Sequence, residues 1–121
     1  PERLSNLDGL QLNVQPPGVV NAFWMVSVVV DRAFGLTTRM LMDALDAQAI
    51  DTRPFFHPLS GLPAYSDTPQ AAAARSRNPV AYDVSPRGLN LPSAMVLTEA
   101  QVDRVCQVLL QVLERQATRV S

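Results

Sequence analysis

The chain has 121 residues, 47% of them apolar and 17% charged, and ten arginines stand against eleven acidic residues for a formal charge of −1. That length supports a single domain over residues 1–121 with one core, and the near-neutral balance leaves no basic surplus for binding nucleic-acid phosphates or an anionic membrane surface. There is no lysine, so the chain has no side-chain amine with which to form a Schiff base.

Other counts narrow the chemistry further. Cys106 is the single cysteine, which excludes an internal disulfide and fits a reducing compartment. With His57 the sole imidazole, a metal centre would need mostly carboxylates, and no metal site is expected. The longest apolar run, Ala22 to Val30 interrupted by Ser27, is about half of a membrane-spanning helix. No charged region precedes an apolar stretch at the start, so no signal peptide is expected.

In chain order, Leu10, Leu12 and Val14 alternate with Gln11 and Asn13, the pattern of a short half-buried strand that Pro16, Pro17 and Gly18 stop. Asn21 to Asp31 reads as a central strand covered on both faces, with Trp24 and Met25 in the core. Leu36 to Ala49 reads as a helix. Thr37 is its N-cap, Leu36 and Leu41 form a staple, and Leu41, Ala44, Leu45 and Gln48 share one face. Ile50 to Phe56 is extended, since Pro54 pushes Arg53 out of helical angles.

A loop then runs from Pro54 to Pro69, stiffened by prolines and loaded with Phe55, Phe56, His57 and Tyr65. Loops that carry large rings cover a core or a ligand. A short helix over Asn78 to Ser85 is entered through Pro79, and Leu89 to Leu91 forms a short strand closed by Pro92. Thr98 and Gln101 make a capping box for the last helix, with Val102, Val105, Cys106, Leu109, Val112 and Leu113 on its apolar face. It is expected to end near Gln116 and to fray beyond. The order of elements predicts an α+β fold, a small sheet with helices packed on it.

Among the polar residues, the Arg53 fork could grip a phosphate or carboxylate, or pair with Asp51. His57 follows two phenylalanines and reads as a hydrogen-bonded structural residue or a ligand contact. Phe55, Phe56 and Tyr65 could stack on a ligand, with Tyr65 adding a phenolic hydrogen bond, or pack against another surface. Ser85, Arg87 and Asn90 read as turn and cap residues, and Asp43, Asp46, Asp103 and Glu114 as a solvated helix face. No pair of carboxylates forms an acid–base couple.

Three stretches carry a resemblance: Asn21-Ala-Phe-Trp-Met-Val-Ser-Val-Val-Val30, Ile50-Asp-Thr-Arg-Pro-Phe-Phe-His-Pro-Leu59 with Pro63-Ala-Tyr65, and Arg87-Gly-Leu-Asn-Leu-Pro-Ser93 followed by Leu97-Thr98 and the last helix. In this order the chain, from about Leu12 to Leu113, resembles the C-terminal part of the DegT/StrS sugar-nucleotide aminotransferases, and among them the perosamine synthases of O-antigen biosynthesis, which aminate a 4-keto-6-deoxy sugar nucleotide. The resemblance implies the small domain of a fold type I aminotransferase. A large N-terminal domain, absent here, would supply the lysine that holds pyridoxal phosphate, the acidic partner of its pyridine nitrogen and most phosphate contacts.

The site would be shared between the subunits of a cytoplasmic homodimer, with glutamate as amino donor and a sugar nucleotide as acceptor. The resemblance places Arg53, Phe55, His57, Ser60 and Tyr65 near the substrate end of the cleft. Members of that family commonly carry a histidine after the Pro-Leu pair, where this chain has Ser60. The chain starts on Pro1 rather than Met, which the resemblance reads as a piece of a longer protein, silent by itself and holding no cofactor. A stand-alone binding or dimerisation module built on the same fold is the alternative.

Overall fold

The computed structural model describes residues 3–4 and 7–120. Its sheet has four strands in the order β1-β2-β4-β3, with β1 Leu10–Gln11, β2 Val26–Val30, β3 Arg53–Pro54 and β4 Gly88–Leu91. Every pairing is antiparallel: Leu10 faces Val30, Val28 faces Leu89, and Arg53 faces Asn90. Among the described residues four α-helices accompany the sheet, α1 Thr38–Asp46, α2 Pro69–Arg77, α3 Pro79–Val84 and α4 Glu99–Val120. This is the expected α+β architecture.

The pleat sorts the two central strands. Val28 and Val30 of β2 and Leu89 and Leu91 of β4 are buried in one cluster with Leu41 and Leu45 of α1 and Leu109 and Leu113 of α4. Ser27, Val29, Gly88 and Asn90 therefore lie on the reverse face. β2 is central, as expected, but Ser27 and Val29 are only half-buried, so its reverse face is not covered as its core face is.

The strand also starts later than expected, at Val26. Phe23 sits at φ 47°, and the Asn21 side chain accepts from its backbone N–H at 2.8 Å. That turn swings Trp24 outward, where it is 74% exposed instead of in the core, and Met25 is half-buried. β1 is likewise shorter than the alternation implied. Past Gln11, Asn13 replaces ladder pairing with its side chain, accepting from the Ser27 N–H and donating to the Met25 carbonyl, each at 2.9 Å.

Helix α1 begins as read, with Thr37 Oγ1 accepting from the Met40 N–H at 3.3 Å and Leu36 and Leu41 both buried. It ends before Gln48, which is exposed. Ala49 adopts φ 57°, the Ile50 N–H reaches back to the Leu45 carbonyl at 3.0 Å, and the buried Ile50 joins Leu45 in the core. This is a left-handed helix end built without glycine.

Thr98 and Gln101 cap α4 as expected, the Gln101 side chain accepting from the Thr98 N–H at 2.8 Å and Thr98 Oγ1 from the Gln101 N–H at 3.3 Å. The helix runs to Val120, beyond the expected end near Gln116. Near that end Thr118 Oγ1 donates to the Glu114 carbonyl at 3.0 Å. Asp103 is half-buried and paired with Arg3 rather than solvated. Helix α2 was not expected. Its cap is Thr68, whose hydroxyl accepts from the Ala71 N–H at 3.2 Å with Pro69 in the first turn.

Candidate functional site

The proline–aromatic loop leaves the sheet at β3, an edge strand where Pro54 needs no ladder N–H. Asn90, buried on β4, ties this edge in: its amide donates to the Pro54 carbonyl at 3.1 Å and its oxygen accepts from Ser27 Oγ at 2.7 Å. Arg53 turns its fork onto Asp51, with nitrogen–oxygen separations of 3.0 and 3.1 Å, in the open. It borders a cavity of about 490 Å³ shared with Thr52, Asn90, Gln101 and Arg104. Arg104 is held there by the Gln48 carbonyl at 2.8 Å.

Phe55 folds back over the reverse face of the sheet. A Cβ on Gly88 would stand 3.0 Å from Phe55 Cβ and Cγ, so the close approach depends on glycine. Phe56 meets Phe55 edge-on at 6.4 Å and stacks on Trp24 at 6.5 Å. Trp24, Phe56 and Tyr65 are each more than half exposed. The stacked, exposed Trp24–Phe56 pair is a surface made for contact rather than for a closed core.

Beyond Phe56 the loop meets α2 and α3 in a polar cluster. Ser60 Oγ and the Tyr82 hydroxyl lie 2.8 Å apart, and the Arg75 guanidinium sits 4.9 Å above the Tyr82 ring. His57 Nδ1 is 3.4 Å from the hydroxyl of the buried Ser85. Thr38 of α1 fixes this corner from behind, its one hydroxyl hydrogen shared between the Gly88 carbonyl at 2.7 Å and the Ser85 carbonyl at 3.1 Å. A cavity of about 270 Å³ opens among His57, Arg75, Tyr82 and Ser85.

The neighbouring Asp83 contributes no free charge. Arg87 donates to it at 2.8 Å and Arg32 at 2.9 Å, and together they hold its carboxyl at about 2, well below the usual range. Asp83 in turn raises Arg87 above its ordinary value, and Arg87 also donates to the Val30 carbonyl at 2.6 Å. Cys106 is buried, and burial pushes its thiol above its ordinary value.

The residues singled out in the sequence thus separate. His57 lines a cavity with Tyr82, and Ser60 is tied to that tyrosine's hydroxyl. Tyr65 shares a larger cavity of about 700 Å³ with Ser60, Arg53 borders the cavity near Arg104, and Phe55 lies behind the sheet. Arg75 and Tyr82 carry no mark of this role in the sequence, where Ser85 reads as a turn or cap residue. The one signal for Arg75 was the Thr68-Pro69 helix start, which sets the alanine run and Arg75 on a helix facing the loop.

The DegT/DnrJ/EryC1/StrS aminotransferase family model matches residues 2–110. The chain belongs to this family. GDP-perosamine synthase of Vibrio cholerae is 34% identical over 104 residues, 84% of this chain and 27% of that protein. GDP-perosamine synthase of Caulobacter vibrioides is 38% identical over 93 residues, 77% of this chain and 24% of that protein. A solved Streptococcus pneumoniae protein described as a sugar aminotransferase, in its PMP form, superposes with a TM-score of 0.79 at 17% identity, covering 97% of this chain and 29% of its own. The chain spans about a quarter of the length of the curated relatives it matches.

Membership in an aminotransferase family implies pyridoxal phosphate, an aldehyde that enzymes hold through a lysine. Here the donor set does not fit: the cavities offer arginine, histidine and hydroxyl groups, and the sequence has no lysine. No step of chemistry on that cofactor can be assigned to these residues.

Proposed function

We propose that this chain is the C-terminal small domain of a pyridoxal-phosphate-dependent enzyme that transfers an amino group from glutamate to a 4-keto-6-deoxy sugar nucleotide, and that alone it is silent. One observation carries the reading: a member of an aminotransferase family, aligned with about a quarter of its relatives' length, has no lysine. The curated relatives bearing the name GDP-perosamine synthase support a GDP-linked sugar as acceptor.

In this reading the reactive centre lies in a large N-terminal domain, and the cytoplasmic parent works as a homodimer. The proline–aromatic loop forms the substrate-side wall of its cleft. Arg53, Phe55, His57, Ser60 and Tyr65 line or brace that wall, Ser60 offering a hydroxyl where members of the family commonly carry a histidine. The exposed Trp24–Phe56 pair seats the small domain against its partner.

The test is to titrate the 121-residue chain, its terminal amine blocked, with pyridoxal phosphate and follow absorbance, then to supply glutamate and a GDP-linked 4-keto-6-deoxy sugar. The expected result is the spectrum of the free aldehyde and no aminated sugar. Saturable capture of the aldehyde, or turnover by the chain alone, would overturn the proposal. A stand-alone module remains a second reading, because the core closes within the chain: Val28, Val30, Leu41, Leu45, Leu89 and Leu109 are fully buried without a partner. A start codon adjoining the codon for Pro1, in place of an in-frame lysine-bearing domain, would decide for that reading.

A further inference from the structure

We infer that the cleft between the proline loop and helices α2 and α3 is a binding site for a phosphoryl group, held by Arg75, His57 and the hydroxyls of Ser85 and Tyr82. The inference rests on the reading above only for the loop's place at the substrate wall, since phosphate binding itself needs neither cofactor nor large domain.

The carrying observation is a juxtaposition. The cavity of about 270 Å³ gathers a guanidinium, an imidazole and two hydroxyls, and no Asp or Glu is among its lining residues. Arg75 has no carboxylate partner among the described residues; its guanidinium is held over the Tyr82 ring at 4.9 Å and keeps its N–H groups for a ligand. Asp83, the nearest acid along α3, is already taken up by Arg32 and Arg87. A small concave site with unspent positive charge selects an anion.

The donor set favours phosphate over carboxylate. A planar carboxylate is satisfied by the arginine fork alone, whereas the tetrahedral phosphoryl group accepts from donors on several walls. Ser85 and His57 supply the further wall: Ser85 is 3% exposed, and its hydroxyl lies at a slack 3.4 Å from His57 Nδ1, so either group can turn to a ligand. The frame is braced in advance by the Ser60–Tyr82 contact and by Thr38 on the Ser85 carbonyl.

His57 is the only histidine, so its ring protons give one unambiguous magnetic-resonance signal. The chain is titrated with inorganic phosphate at fixed pH and ionic strength, with GDP and acetate in parallel. Phosphate is expected to shift the His57 signal saturably. Arg75→Gln should weaken phosphate binding about tenfold, the loss of one charged hydrogen-bond donor, while Arg77→Gln on the same helix leaves it unchanged. Ser85→Ala, with circular dichroism to confirm the fold, should weaken it less. Saturation by GDP at lower concentration than phosphate supports a phosphoryl group carried on a nucleoside diphosphate, and equal saturation supports free phosphate; both uphold the site. A shift that never saturates, Arg75→Gln binding like the unaltered chain, or acetate saturating as readily as phosphate would overturn it. Aldehyde capture and phosphate binding are read separately, so the two proposals can fail independently.

Discussion

Two residues hold backbone positions that their neighbours alone do not predict. Ala49 occupies the left-handed region at φ 57°, where an L side chain crowds the following carbonyl. Ala49→Gly should therefore stabilise the chain by about 0.5–1 kcal/mol, the relieved strain exceeding the added freedom of the unfolded glycine. A rise in the urea midpoint at unchanged slope would show it. Gly88 has ordinary dihedrals but no room, with Phe55 3.0 Å from where its Cβ would stand. Gly88→Ala should cost about 1–3 kcal/mol by overpacking, and the same denaturation experiment would contradict this if the midpoint stayed put. Neither position was marked in the sequence, because a helix terminus ending on alanine and a glycine beside leucines give no local sign of what faces them.

The elements were legible to different degrees. The capping box of α4 and the Thr37 cap of α1 are local chemistry, settled within four residues, and both appear as read. The corner joining β2, the turn at Arg32–Phe34, α3 and β4 is not local. There the Asp83 carboxylate binds Arg32 and Arg87, and Arg87 reaches the Val30 carbonyl at the end of β2. Asp83 titrates at about 2 in the folded chain against an ordinary 3.8, so the unfolded chain binds more protons between those values. The stability this clamp contributes is present above pH 4 and is lost as the pH falls toward 2. Thermal melts should show Tm falling over that window, and Asp83→Asn should flatten that part of the dependence; an identical pH profile in the variant would refute the clamp.

At the scale of the molecule, the core is complete while several large apolar side chains stay outside it. The core of α1, α4 and the sheet closes on itself, while Trp24, Phe56 and Tyr65 stay more than half exposed with Val14, Val19 and Val20. Apolar surface of this kind drives association. The isolated chain is expected to form dimers or larger species whose share grows with concentration, and Trp24→Ser with Phe56→Ser should shift it toward monomer. Light scattering checks both, and a clean monomer at high concentration would count against this surface. Because Trp24 is the only tryptophan, its emission should move to shorter wavelength on association as the ring leaves water.

The sequence by itself determined the α+β class, the caps of the first and last helices, the α3 start at Pro79, and a chain without a side-chain amine to hold an aldehyde. Those properties depend on composition or on residues within a turn of one another. Only the tertiary structure decided that Arg87 reaches the Val30 carbonyl, that Asn90 joins Pro54 to Ser27, and that His57 meets Arg75, Tyr82 and Ser85. Each of those follows from what stands opposite a residue across the sheet or from a helix many residues away. A hydrophobic pattern records that a side chain avoids water, not which surface will cover it.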